Sequence, residues 1–411
     1  MPAPHIVLFD LYTEGHHLQY LLQLAGYWVR HGLAGRLSLV VPEAFLTAHP
    51  ELPAFVKQHA GAGIALAPIH APVDVQTPRR FGLIRNNLEH GRLLQACVAR
   101  LEPDHAVLMY FDHVQFALAR GLRLPYPTQL SGIYFRPSFH FKAFETQPPP
   151  LKERLKRIQK ATLLRAALRH PRFQTLFCLD PYVVPYVKGW GAEAVFLPDG
   201  IDTGPPLRTP AAVREAWGVQ PGRRIALLFG AIDSRKGVFE VLAAVRSLSP
   251  ALQQSLTVVL AGRLYAHDKT RILEHVRQVE TTTTVQVVVD DRFIPDEEIH
   301  DLLRTADLAL LTYQRHLGSS GVLLRAAAEA VPVLGSDYGL VGEHIRRHRL
   351  GLAVDTTRPE AVAEGLRQWL ETPNTLPFDA AEARRFAAEN TAEQMAATLF
   401  QHLGAQPTND Q

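Results

Sequence analysis

The sequence predicts an α/β protein of two domains, each a parallel sheet with helices on both faces. Three observations carry this. Apolar runs of strand length alternate with segments of helical period along the whole chain. At 411 residues the chain is too long for one compact core. Turn chemistry is densest at mid-chain, in LPDGID at 197–202 followed by Gly204, Pro205, Pro206 and Pro210. The domains read as 1–198 and 199–378, with a last helix and tail over 379–411.

In the first domain, HIVLFD (5–10) is a buried strand, and a turn with Glu14, Gly15, His16 and His17 follows it. Leu18, Leu21, Leu22, Ala25 and Trp28 then recur at helical spacing. Residues 36–41 and 64–69 are further strands, and a helix runs from about 81 to 101 with Leu83, Ile84, Leu88, Leu94 and Val98 inward. Strands at 105–110, 128–135, 175–179 and 194–197 complete the sheet. Loops after the strand C-termini line the ligand crevice of such a sheet. That assigns Gly15, His16, His17, Asp112, His113, Arg136 and His140 to a crevice suited to a hydroxylated or charged ligand. No GxGxxG fingerprint follows the first strand, and the histidine spacing matches no standard metal pattern. Residues 151–170 form the most basic stretch, with Leu151, Leu155, Ile158 and Thr162 as a narrow apolar stripe. This is either a solvated helix packed by that stripe or a surface drawn to anionic lipid or a polyanionic acceptor.

In the second domain, RIALLF (224–229) leads into Gly230, then Arg235, Lys236 and Gly237, then a helix with Val238, Val241, Leu242 and Val245 inward. Strands follow at 256–261 and 285–289, and a helix over 299–306 opens on Asp296, Glu297 and Glu298. The run LALLT (308–312) precedes the small-residue turn Gly318-Ser319-Ser320-Gly321, a helix over 322–330 and a strand at 332–334. Two helix N-termini, near 237 and 319, thus follow strands of one sheet, and each favours an anion. If the strands are neighbours, both can grip one pyrophosphate.

The composition narrows the function classes. A net charge of +3 is small for this length and argues against a nucleic-acid-binding surface. The two cysteines, Cys97 and Cys178, lie in apolar segments without CxxC spacing, which fits a reducing compartment and no disulfide or zinc framework. The opening residues suggest no signal peptide or membrane span, so a cytoplasmic protein is expected.

Together, LPDGID (197–202), FGAIDSRKG (229–237), ADLALLTY (306–313) and SGVLLRAAAEAVPVLGSDYG (320–339) resemble the retaining glycosyltransferases of the GT-B fold, specifically glycosyltransferase family 4. The likeness covers most of 195–370 and is mainly architectural over 1–190. It implies two facing Rossmann-like domains, with the last helix crossing back to the first. It further implies a nucleotide-diphosphate sugar as donor substrate, no metal, no separate cofactor, and a glycan, lipid-linked or small-molecule hydroxyl acceptor. By the same resemblance Lys236, Arg235 and His16 are catalytic. Gly230, Gly237, Arg292, Phe293, Ser319, Ser320, Gly321 and Arg325 hold the donor, and Gly15, His17, Tyr20, Asp112, His113 and Arg136 the acceptor. The sequence departs from the family at its paired glutamates, where Leu317 and Arg325 stand; Glu329, one turn further, could substitute only if the helix is rotated. Two other readings share the fold: a non-catalytic binder of sugar nucleotides or glycans, and an isomerase or phosphorolytic enzyme.

Overall fold

A computed structural model describes residues 3–13, 17–71, 83–137, 139–140, 151–202 and 204–407. The chain forms two compact units, Met1–Gly200 with Ala392–Gln411, and Ile201–Thr391. The first holds a seven-stranded sheet of β1 (His5–Phe9), β2 (Arg36–Val40), β3 (Ile64–Leu66), β4 (His105–Leu108), β5 (Gln129–Tyr134), β6 (Phe173–Cys178) and β7 (Glu193–Phe196), in the order β3-β2-β1-β4-β5-β6-β7. The second holds a six-stranded sheet of β8 (Arg224–Phe229), β9 (Leu256–Ala261), β10 (Gln286–Asp290), β11 (Leu308–Leu311), β12 (Val333–Ser336) and β13 (Gly351–Val354), in the order β10-β9-β8-β11-β12-β13. Every strand pair in both sheets is parallel.

The strands read as continuous apolar runs because each sheet is covered on both faces. Successive side chains alternate sides. Val7 and Phe9 pack into one core, Ile6 and Leu8 into another. Likewise Ile225 and Leu227 enter one core of the second unit, and Ala226 and Leu228 the other. In each sheet the winding direction reverses beside the first strand, between β1 and β4 and between β8 and β11. Crevices form at such reversals because neighbouring loops leave toward opposite faces.

The structure corrects the sequence reading in three places. The segment 380–403 is two helices, Ala380–Ala388 and Ala392–His402, so the return to the first unit begins at Ala392 and not at 379. Ala383, Phe386 and Ala387 are buried in the second unit's core, while Met395, Ala396, Leu399 and Phe400 join the first unit's. Asn390 marks the break, its carbonyl accepting from Ile201 N (3.1 Å). In the helix Leu83–Leu101, Ile84 and Leu88 face solvent, because Asn86, Asn87 and His90 take the inward face. The strand β13 completes the sheet edge from a four-residue run that the sequence pattern did not single out.

The C-terminal helix is therefore part of the first unit's core. Phe400 is buried, with its ring centroid 5.4 Å from that of Trp28. Phe400→Ala is expected to remove about 3–5 kcal/mol from that unit, read as a lower urea midpoint of tryptophan fluorescence. A wild-type midpoint would mean that the helix contributes no core.

Candidate functional site

The reversal at β8 and β11 brings the loop after β8 against the loop after β11. Thr312 Oγ1 donates to Lys236 O (2.7 Å), and Gln314 N donates to Arg235 O (2.8 Å). Gly237 sits between the loops at φ 70°, and a Cβ there would stand 2.0 Å from Thr312 O, so only glycine fits. Lys236 is the hub. Its ammonium donates to Phe229 O and to Tyr313 Oη, both at 3.0 Å, and lies 4.5 Å from the Tyr313 ring centroid. A Cβ on Gly230 would come within 3.1 Å of the same nitrogen. The Tyr313 hydroxyl in turn pairs with Ser320 Oγ (3.0 Å). Ser320 caps the helix Gly321–Ala328 by accepting from Leu323 N (3.3 Å). Burial pushes the Tyr313 phenol up, yet the neighbouring Lys236 charge and the hydrogen bonds from Lys236 and Ser320 hold it below its ordinary range. One ammonium thus links both predicted helix starts through Tyr313, a residue the sequence reading left without a role.

Arg325 lies in the last turn of the same helix and is only 7% exposed. Its guanidinium leans back toward the N-terminus, with Nη1 3.5 Å from where a Cβ on Gly321 would be. Nε has no hydrogen-bond partner, and the nearest carboxylate is that of Asp296 at 3.7 Å. A buried guanidinium with one half-exposed carboxylate at 3.7 Å and an unbonded Nε is only partly compensated, so a further anion would be favourable there. Glu329 is turned elsewhere: it accepts from His300 Nδ1 (2.7 Å) and Arg304 Nε (2.5 Å), so it does not replace the missing carboxylates. Arg235 is exposed and held by Asp233 (2.8 Å). Arg292 is committed to Asp290 and, through two nitrogens, to Glu298. Phe293 beside it is 71% exposed and free to stack. Ser319 stands one residue ahead of the cap, its carbonyl 3.1 Å from His316 Nε2.

The reversal at β1 and β4 gathers a second cluster. Asp10, buried at the end of β1, accepts from His17 Nδ1 (2.6 Å) and from Tyr12 N (3.1 Å). The Asp10 carboxylate at Nδ1 fixes the orientation of the His17 ring. Tyr12 is ringed by His17, Tyr110 and His113 at centroid distances of 5.2, 5.1 and 5.1 Å, with His90 at 5.9 Å. Tyr12 Oη, His90 Nε2 and His113 Nδ1 are buried without hydrogen-bond partners, and Tyr12, His90 and Tyr110 line a small cavity. Burial lowers both imidazoles, His113 to about 3, so both stay neutral. Arg136 is exposed, its guanidinium 5.9 Å from the Tyr110 ring centroid. Asp112 accepts from Phe135 N (3.0 Å).

Of the residues assigned from sequence, His17, Asp112, His113 and Arg136 come together in this cluster. Gly15 and His16 lie outside the described residues. Tyr20 is buried, its ring centroid 6.0 Å from that of Phe135, and its hydroxyl donates to Asp199. His140 is paired with Asp180 (2.8 Å), and Tyr134 is buried in the core. Asp10, Tyr12 and His90 were not foreseen. The only signal for Asp10 was its place as the last residue of an apolar run. Among the described residues no group of three His, Cys, Asp or Glu side chains is arranged to hold a metal ion.

Residues 211–393 match the family model of glycosyl transferases group 1. A D-inositol 3-phosphate glycosyltransferase of Rhodococcus erythropolis is 28% identical over 193 residues, 44% of this chain and 42% of that protein's own length. The chain therefore aligns with less than half of that relative. Sucrose-phosphate synthase from Thermosynechococcus elongatus superposes with a TM-score of 0.70 at 17% identity, over 97% of this chain and 98% of the other. Anabaena HepE, solved in complex with UDP-glucose, superposes with a TM-score of 0.62 at 14% identity, over 97% and 99%. The likeness to these structures establishes the GT-B fold.

Burial raises the Asp112 carboxyl from 3.8 to about 6, outweighing the Phe135 hydrogen bond and the Arg136 charge. The folded state binds this proton more tightly than the unfolded chain. The stabilising contribution is complete below 3.8 and is lost as pH rises through about 6. Asp112→Asn should therefore leave stability near pH 3 unchanged and raise it near pH 8 by on the order of 2 kcal/mol. Urea midpoints at the two pH values check this, and an equal change at both would refute it.

Proposed function

We propose that the chain, whose residues 211–393 match the family model of glycosyl transferases group 1, is a retaining, metal-independent transferase moving a sugar from a nucleoside-diphosphate sugar to a hydroxyl acceptor. The observation that carries the donor half is the Lys236–Tyr313–Ser320 chain at the switch of the second sheet. In the transfer, the bond from the sugar's anomeric carbon to the phosphate oxygen breaks and a bond to the acceptor oxygen forms. The leaving diphosphate takes the acceptor proton and gains charge as it departs. Lys236, Arg235, the Ser320 and Tyr313 hydroxyls and the helix N-termini stabilise that charge, and such preorganised groups are commonly the largest catalytic contribution. Arg325 adds a further cation for the donor's anionic part, where relatives would carry a carboxylate. Phe293 offers a face for the nucleobase. HepE, of the same fold, was solved in complex with UDP-glucose, which supports a nucleotide-linked donor.

The acceptor reading rests on the first unit. His17, held through Nδ1 by Asp10, and the orphaned atoms of Tyr12, His90 and His113 offer hydrogen-bonding partners for hydroxyl groups. His17 would orient the attacking hydroxyl. A second reading, binding without transfer, is favoured by Leu317 and Arg325 standing where the family carries glutamates.

Thermal shift against UDP, GDP, ADP and their hexose conjugates should single out one nucleotide. A ligand at about 100 times its dissociation constant adds about 2.7 kcal/mol. With that donor, Lys236→Ala is expected to lower turnover by about one to three decades. Tyr313→Phe, which keeps the ring and deletes the bridging hydroxyl, should lose about tenfold. Unchanged turnover in Lys236→Ala would remove the lysine from the mechanism. Donor binding with no sugar released to any acceptor would favour the binding-only reading.

A further inference from the structure

We propose that the outward face of the helix Leu151–Leu168 docks on an anionic lipid bilayer. The helix is oriented opposite to the usual rule. Leu164, Ala167 and Leu168 pack into the core beside a buried Arg157, and Lys160 faces inward, where it interacts electrostatically with Asp112. Leu151, Leu155 and Ile158 are 69%, 54% and 62% exposed. At 3.6 residues per turn these three and Thr162 fall on one stripe, diametrically opposite the buried face. Exposed cations border the stripe: Arg154 and Arg165 on one side, Lys152 on the other, and Arg169 just beyond its end. None of Lys152, Arg154 and Arg165 is in an ion pair among the described residues. The helix's only acid, Glu153, accepts from Arg157 (2.6 Å) on the inner side and neutralises nothing on the outer.

Aliphatic side chains along the middle and cations along the margins match the boundary between acyl chains and anionic headgroups. The alkyl stems of Lys and Arg extend over the apolar layer while their charges reach phosphate. The same charges argue against a second copy of this chain, since two such faces would meet as like-charged surfaces. The contact lies on the membrane: no helix among the described residues is long and apolar enough to cross one. The inward face of the same helix carries Lys160 toward Asp112, so docking would hold the first unit's cluster close to the lipid surface.

The test is flotation of the full chain with phosphatidylcholine vesicles, with and without phosphatidylglycerol. The protein should float with the anionic vesicles and not with the neutral ones, and salt should weaken the binding. Leu155→Glu with Ile158→Glu should lose at least about tenfold in partitioning, and Arg154→Glu or Arg165→Glu about fivefold or more each. All four positions are exposed, so wild-type melting temperatures are expected. Should the double glutamate variant fail to fold, the arginine variants and the salt series decide. Failure of the wild type to float, equal partitioning onto both vesicles, or unchanged binding by the variants would overturn the proposal. So would self-association in sedimentation equilibrium that the same variants abolish. Vesicle binding requires no donor, so its outcome is independent of the transferase reading.

Discussion

Both candidate sites depend on the reversal of strand order in a parallel sheet. Right-handed crossovers force the chain to wind outward from a central strand on one side and then resume on the other. The loops leaving the two central strands part toward opposite faces, and between them backbone polar groups have no sheet partner. In the second unit this gap is bridged by bonds rather than left open. Thr312 and Gln314 lace the loop after β11 to the loop after β8. Gly237 permits an approach that any side chain would block. Only because the two loops are fixed against each other can one ammonium reach a carbonyl at the end of β8 and a phenol beyond β11.

The sequence was most legible where physics is local. Strands buried on both faces announce themselves as unbroken apolar runs, and all but one strand of the two sheets were found this way. Lys236 was legible because a cation between a strand glycine and a helix start is locally conspicuous. Tyr313, Asp10, Tyr12 and His90 were not. Each sits in or beside an apolar run or on a helix face, and its significance comes from a neighbour brought in by sheet order. A contact such as Lys236 to Tyr313 spans a separation that no periodicity encodes. The Leu151–Leu168 helix was left between two readings for a different reason. An apolar stripe is read as inward by default, whereas here Leu164, Ala167 and Leu168 supply the anchor and the stripe is left outside. The break at Asn390 was hidden by helix-forming residues on both sides, since the chain turns there to bond with Ile201.

Buried polar atoms without partners occur at both candidate sites, as well as elsewhere, for example at Asn86 and Glu240. A buried donor or acceptor without a partner costs about 1–3 kcal/mol, so a core under no other demand would replace it by a hydrocarbon of like shape. In the first unit Tyr12, His90 and His113 keep such atoms within one cluster at the strand C-termini. In the second, Arg325 keeps one on a side chain that leans back toward Gly321 at the helix start. The two sets differ in kind. The first is neutral, because burial holds the imidazoles of His90 and His113 uncharged, and neutral donors and acceptors discriminate hydroxyl groups by direction. The second is cationic, and buried cations discriminate by charge. Arg325 has only the Asp296 carboxylate, at 3.7 Å, to offset its charge, and Arg136 is the cation nearest the neutral atoms of the first cluster. On the proposed reading, the second unit's unpaired cation would meet the donor's anion and the first unit's neutral atoms the acceptor's hydroxyls.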